Sequence, residues 1–151
     1  MRLWYILFVP FLCGFQITEI MYDPEGSDNN REYIELFLNE TNMSDVFFED
    51  LVSSDFLELA QDFSTPYALI TEEGFNLTDL NVTVYTTGAT IGNGLNNEQD
   101  LVLFRTNESI LDAVFYVSSR DGARNNGKSL CVEDHLFQEC TPTPGMENNL
   151  N

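Results

Sequence analysis

Residues 17–38, ITEIMYDPEGSDNNREYIELFL, decide the fold of this chain. Two short segments rich in branched and aromatic residues flank residues 23–30, which are almost entirely turn formers. In the second segment Ile34, Leu36 and Leu38 share one face, because side chains alternate along a strand with a period of two. A pair of strands is not stable alone, so the stretch predicts a hairpin whose apolar face is covered by a second sheet.

The rest of the chain repeats this pattern of short strands and polar turns. Apolar or alternating segments recur at residues 67–71, 80–86, 101–104 and 110–117. Residues 47–62 have apolar side chains near helical spacing, but Ser53, Ser54 and Asp55 interrupt that pattern, so we predict two strands with a turn there. The chain is therefore predicted to be all-β, an antiparallel β-sandwich.

Five blocks along the chain resemble, in the same order, motifs of the lamin-tail domain family, whose fold is an immunoglobulin-like β-sandwich. In residues 17–36, similar to the N-E-I segment and E-W-I-E-L strand of the family, Thr18 replaces Asn and Tyr33 replaces Trp. The other blocks are residues 95–100 (L-x-N-x-G-D), 110–114 (V-x-D-S-V), 127–130 (G-K-S-L) and 141–148 (S-P-T-P-G-x-x-N). Gln99 stands where the family has Gly, so a turn that needs positive φ would be altered.

This resemblance implies one lamin-tail-like domain over residues 17–149. It also implies an interaction module, since lamin-tail modules often accompany exported hydrolases or nucleases. The residues that carry the motifs are Glu32, Tyr33, Ile34, Glu35, Leu36, Asn97, Asp100, Gly127, Lys128, Ser129, Leu130, Pro142, Pro144 and Gly145.

The first 16 residues, MRLWYILFVPFLCGFQ, have the layout of a secretory signal peptide. Arg2 precedes an apolar run, residues 3–12, which is shorter than the roughly 20 residues that a membrane-spanning helix needs. The alternative, a buried first strand, is disfavoured by Pro10. We therefore expect a secreted or cell-surface protein whose mature chain starts near residues 15–17, with membrane attachment only through an uncleaved leader.

Cysteine usage agrees with export. Cys13 belongs to the leader, and Cys131 and Cys140 remain as a pair nine positions apart across a predicted hairpin. We predict a disulfide between them, the alternative being two buried thiols. Five N-x-Ser/Thr sequons add candidate glycosylation sites at Asn39, Asn42, Asn76, Asn81 and Asn107.

The charge of the chain is strongly negative. The formal net charge is −19, and no Lys or Arg occurs between positions 41 and 104. Nucleic-acid affinity arises mainly from cations that displace counterions, so binding to nucleic acid or anionic lipid is not expected.

Calcium is the one cofactor that the sequence suggests. Its predicted ligands cluster around the first turn: Asp23, Glu25, Asp28 and Glu32. The alternative is that the aspartates cap the turn through hydrogen bonds to the backbone. Glu19, on the preceding strand, is predicted to pair with Arg31.

Residues 122–129 match the phosphate-loop pattern G-x4-G-K-[ST], but the context does not fit. The residues that follow contain Pro142 and Pro144 and cannot supply a helix and a parallel strand, so no nucleotide is expected. His135 is the only histidine, and although Ser129 or Thr141 could approach it, no nucleophile motif surrounds it. The chain is therefore predicted not to be an enzyme.

Three hypotheses for function follow. In the first, the domain binds an unidentified protein or glycan partner at the cell surface. In the second, it is a calcium-stabilised adhesion or surface-structural domain. In the third, it is an accessory domain that works with a hydrolase or nuclease encoded as a separate polypeptide.

Overall fold

The computed structural model describes residues 14–150 and shows two β-sheets that pack face to face. The strands are β1 (Phe15–Met21), β2 (Tyr33–Leu38), β3 (Phe47–Glu49), β4 (Ser54–Phe56), β5 (Glu58–Gln61), β6 (Tyr67–Thr71), β7 (Thr83–Thr86), β8 (Gln99–Arg105), β9 (Ile110–Val117), β10 (Ser129–Glu133) and β11 (Leu136–Cys140). One short helix, α1 (Ser118–Asp121), follows β9. The all-β prediction is confirmed. No helix in this part of the chain is long and apolar enough to cross a membrane.

The two sheets differ in size and in strand direction. The large sheet has the order β11-β10-β1-β2-β6-β7-β5, and the small sheet has the order β4-β3-β8-β9. Every neighbouring pair is antiparallel except β6 and β7, which are parallel. The expectation of two antiparallel layers is thus wrong for the large sheet. Residues 72–82 form a crossover that returns the chain to the end where β6 began, so β7 runs in the same direction as β6.

The main core lies between the sheets and is built from alternating residues of the inner strands. Phe104 of β8 contacts Phe15 and Phe48, with ring centroids 5.4 and 5.5 Å apart. Tyr22 stacks on Tyr116 at 4.4 Å between centroids. These contacts fix β1 of the large sheet over β8 and β9 of the small sheet.

A second apolar cluster covers the opposite face of the large sheet. It contains Met21, Tyr33 and Leu69, packed under the 72–82 crossover. The ring of Phe75, from this crossover, meets Tyr33 edge-on at 6.0 Å. Both faces of β2 are therefore buried, although only one face was predicted to be apolar.

A β-bulge in β1 explains how this strand contributes side chains to both the main core and the second apolar cluster. The register with β2 shifts between Ile17 and Glu19. Ile17 and Ile20 consequently both face the main core, whereas Glu19 and Met21 face the opposite side. The backbone amide of Ile17 at the bulge donates a hydrogen bond to Asp112 Oδ2 of β9 at 2.8 Å.

Residues 47–62 form three short strands rather than the predicted two, and the turn falls earlier than predicted. The Asp50 carboxylate accepts hydrogen bonds from the amides of Val52 and Ser53 at 2.7 and 2.6 Å. These bonds form a turn that ends before β4 begins. Short side-chain bonds of this kind leave no periodic signal in the sequence.

The predicted signal peptide lies outside the described residues, apart from Gly14, Phe15 and Gln16. Phe15 and Gln16 are the first residues of β1, and Phe15 is buried in the main core. The sandwich therefore includes two residues that the predicted boundary at residue 17 assigned to the leader.

Candidate functional site

Two buried carboxylates hold the closing segment, residues 141–148, against β1 and β2. Glu19 accepts hydrogen bonds from Thr143, through the backbone amide at 3.2 Å and the hydroxyl at 3.0 Å. Glu35 accepts the amide of Gly145 at 2.7 Å. Asn148 then donates to the carbonyl of Thr18 at 2.7 Å. The segment is thus held by polar contacts over a face that would otherwise expose two carboxylates.

Glu19 is also the centre of a hydrogen-bond network, which corrects the predicted pairing with Arg31. The hydroxyls of Tyr33 and Ser129 both donate to Glu19 Oε1. Arg31 instead donates to the carbonyl of Glu25 at 2.6 Å, within its own turn. The pairing fails because Glu19 is fully buried and its carboxylate is taken up by the hydrogen bonds from Tyr33 and Ser129.

The Glu35 carboxyl has an altered acidity. Burial raises its pKa to about 7, and hydrogen bonds from Thr18 and Gly145 oppose that rise. The Thr18 hydroxyl lies 2.7 Å from Glu35 Oε1. Glu35 is therefore a buried group that titrates near neutral pH inside a structural contact.

The remaining motif residues mark turns and strand starts. Ser129 begins β10, so a strand follows the phosphate-loop pattern where that motif requires a helix. Lys128 donates to the hydroxyl of Thr141 at 3.1 Å. Asp100 accepts the amide of Asn96 at 3.1 Å. Gln99 is not among the residues with positive φ, so the replacement of Gly there strains nothing.

Cys131 and Cys140 form a disulfide across the β10–β11 hairpin, with their Cα atoms 5.8 Å apart. His135 lies in the turn at the far end of this hairpin, 3.6 Å from Asp112 Oδ1 through Nδ1. Ser129 and Thr141 are at the opposite end of the hairpin, where neither can be activated by His135.

An acidic cleft lies at the end of the sandwich where β1 finishes and β2 starts. We use this name for the space lined by Asp28, Glu32, Glu72 and Asn97, with a volume of about 400 Å³. Glu32 and Glu72 are 4% and 6% exposed. Burial is the first cause that raises the pKa of Glu32, to about 8, and the neighbouring Glu72 charge adds to it.

The four predicted calcium ligands divide between two places. Asp28 and Glu32 line the acidic cleft. Asp23 lies beside Arg124, 3.9 Å from its Nε, and Glu25 lies against Gly127. Glu72 was missed, because nothing in the sequence says that β6 is the neighbour of β2.

Among residues 14–150, one group of three His, Cys, Asp or Glu side chains has ligand atoms within 4.8 Å of one another, Glu19 with Cys131 and Cys140. These cysteines are already joined in the disulfide and offer no thiolate. This group is therefore a packed structural contact.

The most exposed apolar surface runs along residues 51–59, which we call the apolar edge. Leu51, Val52, Phe56 and Leu59 are 58%, 76%, 76% and 53% exposed. The segment includes β4 and the start of β5, which are the last strands of the small and the large sheet, respectively. Among residues 14–150, no further strand pairs with either of them on its outer side.

All five sequon asparagines are exposed: Asn39, Asn42, Asn76, Asn81 and Asn107. Four of them, all but Asn76, lie at the end of the sandwich where β1 starts and β2 finishes. There the amide of Asn39 donates to the carbonyl of Gly14 at 2.5 Å. The acidic cleft is at the other end.

Comparison of the chain with protein-family models, with curated proteins and with solved structures gave no match.

Proposed function

We propose that the chain is an exported, lamin-tail-like β-sandwich that acts as a non-catalytic module and binds an extended, basic and apolar protein segment along its apolar edge. The single observation that carries this proposal is the apolar edge itself. Four large apolar side chains are more than half exposed within nine consecutive residues. Exposed large apolar side chains concentrated in one short segment are more typical of an interaction site than apolar side chains scattered singly over a surface.

The geometry of this edge favours an extended partner. In the part of the chain that the structure describes, β4 and β5 are each the last strand of their sheet, and an added strand would extend the hydrogen bonding of either sheet. Side chains on alternate positions of that strand would meet Phe56 or Leu59. The exposed apolar residues are aliphatic or phenylalanine and lack the polar group that Tyr or Trp would offer a sugar. This favours a protein partner over a glycan.

The charge around the edge favours a basic partner. Glu49, Asp55, Glu58 and Asp62 lie on or beside the edge strands. The nearest cation, Arg105, is paired with Glu49 at 2.5 Å and lies over the ring of Phe47. A partner that alternates Lys or Arg with apolar residues would match both properties of the edge.

Export is supported by the disulfide and by the exposure of all five sequon asparagines. The lamin-tail likeness is supported by where the motif residues lie. Glu35 and Gly145, from the first and last blocks, are in direct contact. The G-K-S-L block begins a strand next to β1.

Binding of synthetic peptides tests the proposal. A Lys-Val alternating octapeptide should bind the oxidised protein and broaden backbone NMR signals of residues 54–61, more weakly at 0.5 M than at 0.05 M salt. A Glu-Val octapeptide should not bind. Phe56→Ser and Leu59→Ser should each weaken binding at least fivefold, whereas Leu136→Ser, exposed on β11, should not.

Equal binding of both peptides, or equal loss in Leu136→Ser, would overturn the proposal. So would a footprint confined to the acidic cleft, because attraction to the net charge alone would then explain the interaction.

A further inference from the structure

We infer that the acidic cleft is a calcium site whose central ligands are Glu32, Glu72 and Asp28. This assignment replaces half of the ligand set that the sequence suggests, and it is independent of the partner proposed for the apolar edge.

The first observation is the register of β2 and β6. Tyr33 and Thr71 are the last pair of this antiparallel ladder, so Glu32 and Glu72 lie immediately beyond its end, next to each other and close enough to interact electrostatically. Like charges directly opposite each other on neighbouring strands are destabilising. A cation between these carboxylates would remove that repulsion and the cost of burying both charges.

The second observation is a set of buried oxygens that accept no hydrogen bond. Glu72 is 94% buried, and its Oε2 has no hydrogen-bond partner. Asn97 Oδ1 is likewise buried without a partner, while its Nδ2 donates to Asp28 Oδ2 at 3.0 Å. Both oxygens belong to side chains that line the cleft. Buried polar atoms are nearly always paired, so two in one cleft indicate a ligand that supplies the missing contact.

The third observation is the absence of a competing cation in the cleft. None of its lining residues is Lys, Arg or His. Arg31 is turned toward the carbonyls of Glu25 and Ser27, and Arg124 is paired with Glu98 at 2.6 Å. No cationic side chain among the residues that line the cleft is therefore placed to pair with its three acidic groups.

The geometry favours calcium over magnesium. The three carboxylates are not yet within 4.8 Å of one another, so the ion must draw side chains from separate loops together. Calcium accepts six to eight oxygens in irregular arrangements, whereas magnesium requires a near-ideal octahedron. The side-chain oxygen of Asn97 is available as a neutral ligand.

Thermal unfolding of the chelator-treated, oxidised chain in calcium or magnesium at matched ionic strength tests this inference. Calcium in about hundredfold excess over its Kd should raise the Tm by about 5 °C or more. Magnesium should raise it by less than half as much. Calcium-induced NMR shifts should be confined to residues 28–32, 72 and 93–97.

Glu72→Gln and Glu73→Gln form a matched pair, since Glu73 is the exposed neighbour of Glu72. Glu72→Gln should lose the calcium response, because it removes a charged ligand from the cleft. Glu73→Gln should keep the response. An unchanged wild-type Tm, an equal rise in Glu72→Gln, or an equal response to magnesium would each overturn the inference.

Discussion

Glu35 contacts the closing segment, residues 141–148, and its titration is expected to make the stability of the fold depend on pH. Its carboxyl has a pKa of about 7 in the folded protein, compared with an ordinary value of 4.5. Between these two pH values the native state binds more protons than the unfolded state. Stability therefore falls as the pH rises from about 4.5 to 7, by on the order of 3 kcal/mol from this group.

Glu35→Gln tests this dependence. Urea unfolding at pH 5 and at pH 7.5 should show a smaller loss of stability in the variant than in the wild type, because glutamine does not titrate. The exposed Glu58→Gln should keep the wild-type loss. If Glu35→Gln also kept it, another group would be responsible for the pH response.

For individual residues such as Glu35, the sequence predicts the position in a strand better than it predicts burial. Glu35 follows the alternation of β2 and was expected on a face away from the core. Its burial depends on residues 141–148, more than 100 positions later, which cover that face. The lamin-tail resemblance matched residues 17–36 and 141–148 to motifs of one family, but it did not predict a contact between them.

The closing segment is the element whose packing can be tested most directly. Gly145 has φ +83°, and a Cβ there would lie 2.8 Å from Val82 Cβ. Gly88 has φ +109°, but nothing lies within 4 Å of its Cβ position. Comparing an alanine substitution at each glycine therefore distinguishes the energetic cost of backbone strain from that of a close packing contact.

Gly145→Ala should lower the free energy of unfolding by about 1–3 kcal/mol more than Gly88→Ala. Both variants share the cost of a left-handed backbone, about 1–2 kcal/mol. Chemical denaturation measures the difference. Equal losses would mean that residues 141–148 do not pack on the large sheet.

Regular elements were predictable where alternation was unbroken. β6 and β9 have the bounds that the pattern predicted, Tyr67–Thr71 and Ile110–Val117. The β1 bulge was not predictable, since it is stabilised by Asp112 from β9 of the other sheet. The parallel direction of β7 relative to β6 was not predictable either, because it depends on how the 72–82 crossover packs on Tyr33.

For the whole molecule, four of the five sequon asparagines lie at the end opposite to the acidic cleft. Four sequon asparagines surround the end that holds Gly14, and the acidic cleft occupies the other. Glycans at the first end would leave both the cleft and its loops accessible.

Production through a secretory pathway that attaches N-glycans tests this arrangement. Peptide mapping should find glycans on all five sequon asparagines, because each is exposed. Asn96, equally exposed but outside any sequon, should remain unmodified. Enzymatic removal of the glycans should leave the calcium response unchanged, and a lost response would contradict the separation of the two ends.

The acidic cleft shows why the candidate site was only half predictable. Asp28 and Glu32 are close in sequence and were recognised as oxygen donors. Glu72 joins them through the β2–β6 register, and Asn97 joins them through the β7–β8 loop. Neither strand order nor loop placement is encoded in local periodicity.

The contact between residues 141–148 and the first two strands has a consequence for biosynthesis. A nascent polypeptide that has emerged only as far as residue 140 carries Glu19 and Glu35 without the donors of Thr143 and Gly145. Such an intermediate would leave both carboxylates only partly covered, so the first two strands acquire their full set of contacts only after residues 141–148 have left the ribosome.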